Sequence, residues 1–481
     1  MYDYVIIGAG IIGTMIAREL SRYYVKAIVL EKENDVANVQ TLANSAIIHS
    51  GHNPTPGTLR AKLNVLGNGL YNDLERELDI PLLRCGAFVV AHNEAEEKQL
   101  DELCETAKAN GMLDFVILDY SEAVKTEPNL SKTVTKVLSL PTTKVTYPWE
   151  VAFACMENAI KNGVKFRKNA LVTKISYLKD RYIVEVNENE NIETINVINA
   201  AGVDSDDIAA LIEQEKPFTI KGRKGEYFVL DRRVKDFLNH VLYPLPTASG
   251  KGVLLTPQYH GNILVGPNSQ YVEDKHKTDV SFDGLDYVRE HANSLADNIP
   301  YNKIIRSFAG IRASSDYDDF YIKESARYKG LYHLGGIDSP GLSAAPAIAK
   351  YLVEELIDAP NKYEKNDNFN PYRHKNPEFH TLTMEKRMEM LKHNPTYGNI
   401  VCKCELITEK EIVDAINGPL GSDTIKGIKK RTRAGAGLCQ GGYCEEKIMK
   451  LIAREKHLSP LEISYDSLES KLFVSETKVR K

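Results

Sequence analysis

Hydrophobic and polar positions at the start of the chain follow two different periods. Residues 3–8, DYVIIG, form a short apolar run that predicts a buried strand, and KAIVLEKE (26–33) predicts a second strand ending in acid. Between them, over roughly 11–23, apolar residues recur at helical spacing and put Ile, Ala and Leu on one face. Strand, glycine turn, helix and strand in this order predict an α/β fold with a parallel, Rossmann-like sheet. Further on, GAFVVAHN reads as a strand, 94–110 as a polar helix, 150–163 as another helix, and 164–187 as strands. VINAAG (197–202) reads as a strand running into a small-residue turn. Four strand patterns between 217 and 268, GEYFVLD, HVLYPLP, GVLLTP and NILVGPN, predict a β-rich domain. GLYHLGG (330–336) is a further strand pattern and SAAPAIAKYLVEELI (343–357) a helix pattern. Residues 359–396, rich in Asn, Pro and charge, read as a linker or wrapping segment. A compact module begins near Ile400 and ends near Glu455.

Composition narrows the class. The 481 residues suffice for two or three domains, and 43% hydrophobic with 26% charged residues is the make-up of a soluble globular protein. A net charge of −5 gives no reason to expect a nucleic-acid partner. No apolar run approaches the ~20 residues of a spanning helix. MYDYVIIGAG lacks the basic start of a signal peptide, so a cytoplasmic, reducing location is the expectation. There, cysteines serve metals or redox chemistry more often than disulfides. Cys85, Cys104 and Cys155 are scattered and read as small buried hydrophobes, whereas Cys402, Cys404, Cys439 and Cys444 cluster near the C-terminus.

Gly8, Gly10 and Gly13 of GAGIIG lie between a predicted strand and a predicted helix, the context of a dinucleotide-binding turn. Gly8 permits the tight turn, Gly10 lets backbone approach a pyrophosphate, and Gly13 lets helix and strand pack closely. The pyrophosphate then sits at the positive helix N-terminus, and Glu31 stands at the spacing of a ribose-hydroxyl partner. A second glycine turn, GGIDSPGLSAAPA (335–347), reads either as more backbone N–H groups for a large cofactor or as a helix cap, with Ser339 and Ser343 as N-caps.

These segments, with ANSAIIHSG (43–51) and AGIR (309–312), resemble the FAD-dependent glycerol-3-phosphate dehydrogenase and D-amino-acid oxidase superfamily across residues 1 to about 360. The resemblance implies FAD held across the first turn and the GIDSPGL segment, by Gly8, Gly10, Gly13, Glu31, Ser45, Gly202, Gly336, Asp338, Gly341 and Leu342. It implies a discontinuous FAD-binding domain (about 1–75, 145–215 and 300–360) with the β-rich substrate domain (about 76–144 and 216–299) inserted into it. It also implies that His49 is the base beside the flavin, the alternative being a hydrogen-bonded structural histidine. Arg312 is the implied substrate anchor, its planar fork suiting phosphate or carboxylate, with a salt bridge to Asp316 or Asp318 as the alternative. Tyr227 in KGEYF and Lys275 or Lys277 in EDKHK are further substrate-binding candidates.

VCKCE and GLCQGGYC each supply two cysteines. Four thiolates suit zinc, but the spacings C-x-C and C-x-x-x-x-C depart from the usual zinc C-x-x-C. Gly435, Gly437, Gly441 and Gly442 clear space for backbone N–H groups to reach sulfide, and Lys429, Lys430, Arg431 and Arg433 offer countercharge. The stretches 401–405 and 431–444 resemble the BFD-type 2Fe–2S module, as carried by the A subunits of anaerobic glycerol-3-phosphate dehydrogenases. The expected layout is a linker at 361–396, the mostly α-helical module at 397–460 and a tail at 461–481.

The resemblance implies oxidation of sn-glycerol 3-phosphate to dihydroxyacetone phosphate, with electrons leaving through the cluster. No second Gly-x-Gly-x-x-Gly turn occurs, so the outlet is expected on a partner, a second flavoprotein reaching NAD or a quinone. Such a partner would also bring a cytoplasmic chain to the membrane periphery. The alternatives are a 2-hydroxyglutarate-type dehydrogenase, an amino-acid or opine dehydrogenase, and a non-catalytic flavin/iron–sulfur carrier.

Overall fold

The N-terminal apolar run becomes the Tyr2–Ile7 strand, inside an eight-stranded sheet. The computed structural model describes residues 1–246 and 252–477. Tyr2–Ile7 pairs in parallel with Ala27–Leu30 on one side and with Glu190–Asn199 on the other. Leu331–Gly335 continues the parallel order beside Glu190–Asn199. Two of these strands, Ala27–Leu30 and Leu331–Gly335, show no alternation of buried and exposed positions: both are buried throughout, as strands covered on both faces must be. The Ile11–Leu20 helix packs on Pro148–Lys161 and Gly341–Lys350. The predicted 343–357 helix runs as Gly341–Lys350 and continues as a π-helical stretch, Tyr351–Asp358.

A nine-stranded, largely antiparallel sheet collects the strand patterns of residues 217–268 together with Ala87–Ala91, Val116–Asp119, Lys136–Leu140 and Ile304–Ser315. Its core holds Phe88, Val137, Leu242, Leu255 and Val265. Ile220–Leu230 pairs antiparallel with Ile304–Ser315, setting Arg223 opposite Arg312, Gly225 opposite Gly310 and Tyr227 opposite Phe308. The two-residue period of a strand then puts Arg223, Gly225 and Tyr227 on one face. Two helices that the pattern does not predict, Leu59–Leu78 and Phe282–Ala292, begin at side-chain caps on Thr58 and Ser281.

The chain divides into one unit of residues 1–32 and 36–372 and a second of residues 33–35 and 373–481. The start of the predicted linker belongs to the first unit. There Tyr363 hydrogen-bonds the Tyr4 hydroxyl at 2.9 Å and Phe369 lies 4.5 Å beneath the Arg22 guanidinium. The rest of the linker carries the Met384–His393 helix. In the second unit, the hairpin of Ile400–Cys402 and Ile407–Thr408 leads into the helices Glu409–Asn417, Ile425–Thr432 and Glu445–Lys456. A capping box between Thr408 and Glu411 starts the first of them. Ile412, Ile416, Ile428, Ile448 and Ile452 form the core. The end of the predicted tail, 478–481, lies outside the described residues. Among the described residues no helix is long and apolar enough to cross a membrane.

Candidate functional site

The three glycines of the first turn are constrained by different neighbours. Gly8 has φ +104°, and a Cβ there would stand 2.6 Å from the Ala200 carbonyl oxygen. A Cβ on Gly13 would stand 2.0 Å from the Gly8 carbonyl oxygen, so this glycine serves the close packing of helix on strand. Gly10 meets only the Thr41 hydroxyl at 3.3 Å and otherwise opens onto a cavity of about 590 Å³. That volume lies in the range of a small-molecule or cofactor site, roughly 300–1,000 Å³.

The cavity runs from the first turn to the second. Gly8, Gly10, Glu31, Ser45, Gly202, Asp338, Gly341 and Leu342 line it, as do His49, Tyr227 and Arg312. Two helices, Ile11–Leu20 and Gly341–Lys350, begin at it; the Ile11 N–H donates to the Thr41 hydroxyl at 2.9 Å and the Gly341 N–H to the Asp338 carbonyl at 2.5 Å, and the positive ends of the helix dipoles favour an anion there. The Ser343 hydroxyl instead accepts the His49 backbone N–H at 2.7 Å, which removes it as an N-cap. Glu31 accepts the Ala9 N–H at 2.6 Å, so its carboxylate is fixed at the turn. A glycine cradle, an acid at the end of the second strand and two helix N-termini fit an elongated dinucleotide such as FAD.

His49 sits on this wall, largely buried. Its Nδ1 lies 2.9 Å from the hydroxyl of Tyr243, a buried tyrosine whose pKa burial pushes well up, so the phenol stays protonated. Arg312 makes no ion pair with Asp316 or Asp318 among the described residues; its Nη2 donates to the Asn268 carbonyl at 3.4 Å. Its Nη1 is buried without a hydrogen-bond partner. Burial lowers the Arg312 pKa, and the nearby Tyr227 opposes that shift. Tyr227 itself lies 3.1 Å from the Ser45 hydroxyl and stacks on Phe308 at 4.6 Å. Asp338, expected at the cofactor, is engaged by other groups: Arg60 and Arg223 at 3.1 Å each and the Ser314 hydroxyl at 2.9 Å.

Four expected residues, Gly13, Gly336, Lys275 and Lys277, lie off the cavity wall. Gly13 serves packing, and Gly336, at φ +64°, turns the chain where a Cβ would meet the Ser315 hydroxyl at 2.3 Å. The Lys275 ammonium, expected at the substrate, is held by Asp206 at 2.6 Å and Asp207 at 2.7 Å.

The four clustered cysteines form two pairs. Cys404 and Cys439 bring their sulfurs to 3.6 Å, and Cys402 hydrogen-bonds Cys444. Two thiolates on one tetrahedral metal with ~2.3 Å bonds stand about 3.8 Å apart, so the first pair already has a one-metal spacing. With Cys402 and Cys444 as the second pair, four thiols suit the two irons of the expected 2Fe–2S cluster. The Cys402 pKa falls to about 6, first because the Cys444 thiol donates to it and then because the N–H groups of Gly435, Glu405 and Cys404 point at its sulfur. For Cys439, burial acts upward, but the N–H groups of Gly441 and Tyr443 outweigh it. Three of the four basic residues expected as countercharge are engaged by carboxylates. Within this unit Lys430 and Arg431 pair with Asp35 at 2.9 and 2.7 Å, and Arg433 pairs with Glu405 at 2.9 Å. Lys429 stays beside the cysteine loops, its Nζ donating to Gln440 Oε1 at 3.4 Å, and backbone N–H groups point at the sulfurs of Cys402 and Cys439.

A family model for FAD dependent oxidoreductases (DAO) matches residues 3–355. The chain belongs to this FAD-dependent oxidoreductase family. A second model, the BFD-like 2Fe–2S binding domain, matches residues 400–454. The oxidoreductase domain is thus a FAD-binding domain, and the C-terminal module is a 2Fe–2S domain. A glycerol 3-phosphate dehydrogenase from Caloramator mitchellensis is 40% identical over 478 residues, 99% of either chain. A glycerol 3-phosphate oxidase from Mycoplasma genitalium is 34% identical over 378 residues, 77% of this chain and 97% of that one. The solved L-α-glycerophosphate oxidase of Mycoplasma pneumoniae, with FAD bound, matches with a TM-score of 0.73 at 31% identity, covering 77% of this chain and 98% of that one. Three side chains of this FAD-dependent oxidoreductase, Tyr243, Arg60 and Arg223, stand at the site without having been expected there. None of the three carries a local signal in the sequence: Arg223 alternates with Gly225 and Tyr227, but its facing partner is set by register with a distant strand.

Proposed function

We propose that this FAD-dependent oxidoreductase converts sn-glycerol 3-phosphate to dihydroxyacetone phosphate and passes the electrons to a protein acceptor. The observation that carries the reading is Arg312, a guanidinium on the cavity wall with a buried, unpartnered Nη1. A buried charged donor left without an acceptor is costly, by about 1–3 kcal/mol or more, and a substrate phosphate oxygen relieves that cost. His49 lines the same cavity, so one site offers both an anion anchor and a base. The names of the dehydrogenase and the oxidases similar to the chain agree with this substrate.

The roles follow from the chemistry. Gly8, Gly10 and Glu31 would hold the dinucleotide portion of FAD, with Gly13 letting the helix pack closely beneath the turn; Ser45, Gly202, Gly341 and Leu342 would complete its walls. When bound, FAD supplies the acceptor for the hydride leaving C2, and the 2Fe–2S cluster, on Cys402, Cys404, Cys439 and Cys444, carries electrons singly. His49 takes the C2 hydroxyl proton. For Nε2 to accept it, Nδ1 must carry the ring hydrogen and donate to the Tyr243 oxygen, and the 2.9 Å contact permits that tautomer. Arg312 holds the phosphate, with Tyr227 beside it.

The proposed layout keeps the inserted substrate domain (about 76–144 and 216–299) and the C-terminal 2Fe–2S domain (397–460). A cytoplasmic enzyme docked to an acceptor subunit, a flavoprotein or a quinone-linked protein, completes the proposal. The test is anaerobic: the purified holoenzyme is mixed in turn with sn-glycerol 3-phosphate, glycerol, 2-hydroxyglutarate and a panel of amino acids. Bleaching of the flavin by glycerol 3-phosphate well ahead of the others is the expected result. Bleaching by a hydroxy acid or an amino acid instead would overturn the assignment, and bleaching by none would favour an electron-carrying subunit.

A further inference from the structure

We propose that Arg223 is a second phosphate-binding residue, and that the Arg223–Arg312 pair makes the pocket select a dianion over a monoanion. The inference rests on the reading above that the substrate is a phosphate ester.

Arg223 and Arg312 are direct cross-strand partners in the antiparallel pair of Ile220–Leu230 and Ile304–Ser315. Like charges directly opposite each other weaken a sheet. Both nevertheless line the cavity. Gly225, next on the same face, keeps the space beside them: a Cβ there would stand 2.8 Å from Arg312 Nη2. A third guanidinium, Arg60, lines the same cavity.

Among the described residues, the one carboxylate in ion-pair contact with any of these three is Asp338, at 3.1 Å from Arg60 and 3.1 Å from Arg223. Three cations against one anion leave a net charge of +2 on this part of the wall, the complement of a phosphate dianion. The donor inventory agrees. Arg312 Nη1, Arg223 Nε and Arg60 Nε are all buried without hydrogen-bond partners. Three unsatisfied N–H groups suit the three terminal oxygens of a phosphate ester better than the two of a carboxylate. Asp338 is the positioning residue: it holds Arg60 and Arg223 at the wall without cancelling their combined charge.

The test compares wild type, Arg223→Gln and Arg223→Lys as holoenzymes with matched flavin content. KM and kcat for sn-glycerol 3-phosphate are measured from pH 5.5 to 8, along with binding of inorganic phosphate by flavin-difference absorption. A phosphate ester gains its second charge near pH ~6, so wild-type KM should fall as pH rises through that value. Arg223→Gln should raise KM and weaken phosphate binding by about 10- to 100-fold, with kcat largely kept. It should also flatten the pH dependence of KM, while Arg223→Lys restores part of both. Unchanged KM and unchanged phosphate binding in Arg223→Gln would overturn the inference even where wild type oxidises glycerol 3-phosphate normally. Failure of wild type to oxidise that substrate would overturn the function instead, and the phosphate-binding comparison would still decide the role of Arg223.

Discussion

At the scale of single residues the site turns on one histidine and what holds it. The His49 backbone is tied to Ser343 and its ring to Tyr243, so the imidazole is fixed from two directions. If His49 takes the hydroxyl proton, His49→Gln should lower kcat by about 10²–10⁴ while flavin absorbance stays intact, checked by anaerobic single-turnover reduction. Tyr243→Phe keeps the ring packing and removes the hydrogen bond. It should reduce kcat less than His49→Gln does and shift the pH–rate profile, leaving KM nearly unchanged. His49 was expected at the site because a family resemblance surrounds it, and it lines the cavity. Tyr243 was not, because it stands 194 positions away and only the fold brings the two together. Arg223 was hidden for a related reason: its meaning lies in the cross-strand register with Arg312, and register between distant strands leaves no local period.

At the scale of elements, what the local pattern encodes appeared in the fold. The strand–turn–helix of the first cofactor turn formed where period and glycines predict it, because buried parallel strands and amphipathic helices write their burial into short windows. The Leu59–Leu78 helix escaped, since its buried face carries Asn64, Gly67 and Asn68 while Leu66 is exposed, so the apolar period is broken. The cysteine loops give a sharp element-level prediction. A methyl group on Gly437 would stand 2.5 Å from Cys404 Cβ and 2.9 Å from a Glu405 carboxylate oxygen. Gly437→Ala should therefore lower iron and acid-labile sulfide content while leaving flavin content unchanged. In the small sheet beside His49, Lys144 is buried, its Nζ donating to the Asn68 main-chain and side-chain oxygens at 3.1 and 2.6 Å. Burial first, and Arg84 second, bring its pKa from 10.5 down to about 8. Between those two values the unfolded chain binds the proton and the folded chain does not. Stability contributed by this position therefore rises as pH climbs across that interval. Urea denaturation of wild type against Lys144→Met over pH 7–10.5 should show that slope in wild type alone.

At the scale of the molecule the two domains divide two tasks. In the proposal the oxidoreductase domain carries the base, the anion anchors and the flavin cradle, and the C-terminal 2Fe–2S domain carries paired cysteines. A variant that cannot hold the cluster, Cys439→Ser, should still have its flavin reduced by substrate in one turnover, yet lose steady-state turnover with a protein acceptor. The two-domain division was legible because a cysteine cluster and a glycine turn are local signals, separated by a polar stretch. The join was not: the start of the expected linker packs on the first unit through Tyr363 and Phe369, contacts that depend on distant residues. The most direct measurement is anaerobic absorption and electron paramagnetic resonance on one sample, before and after one equivalent of sn-glycerol 3-phosphate. The account predicts loss of flavin absorbance together with a new reduced-cluster signal, and dihydroxyacetone phosphate in the quenched solution. An oxidised flavin and a silent cluster after that addition, in a sample that dithionite reduces fully, would contradict it.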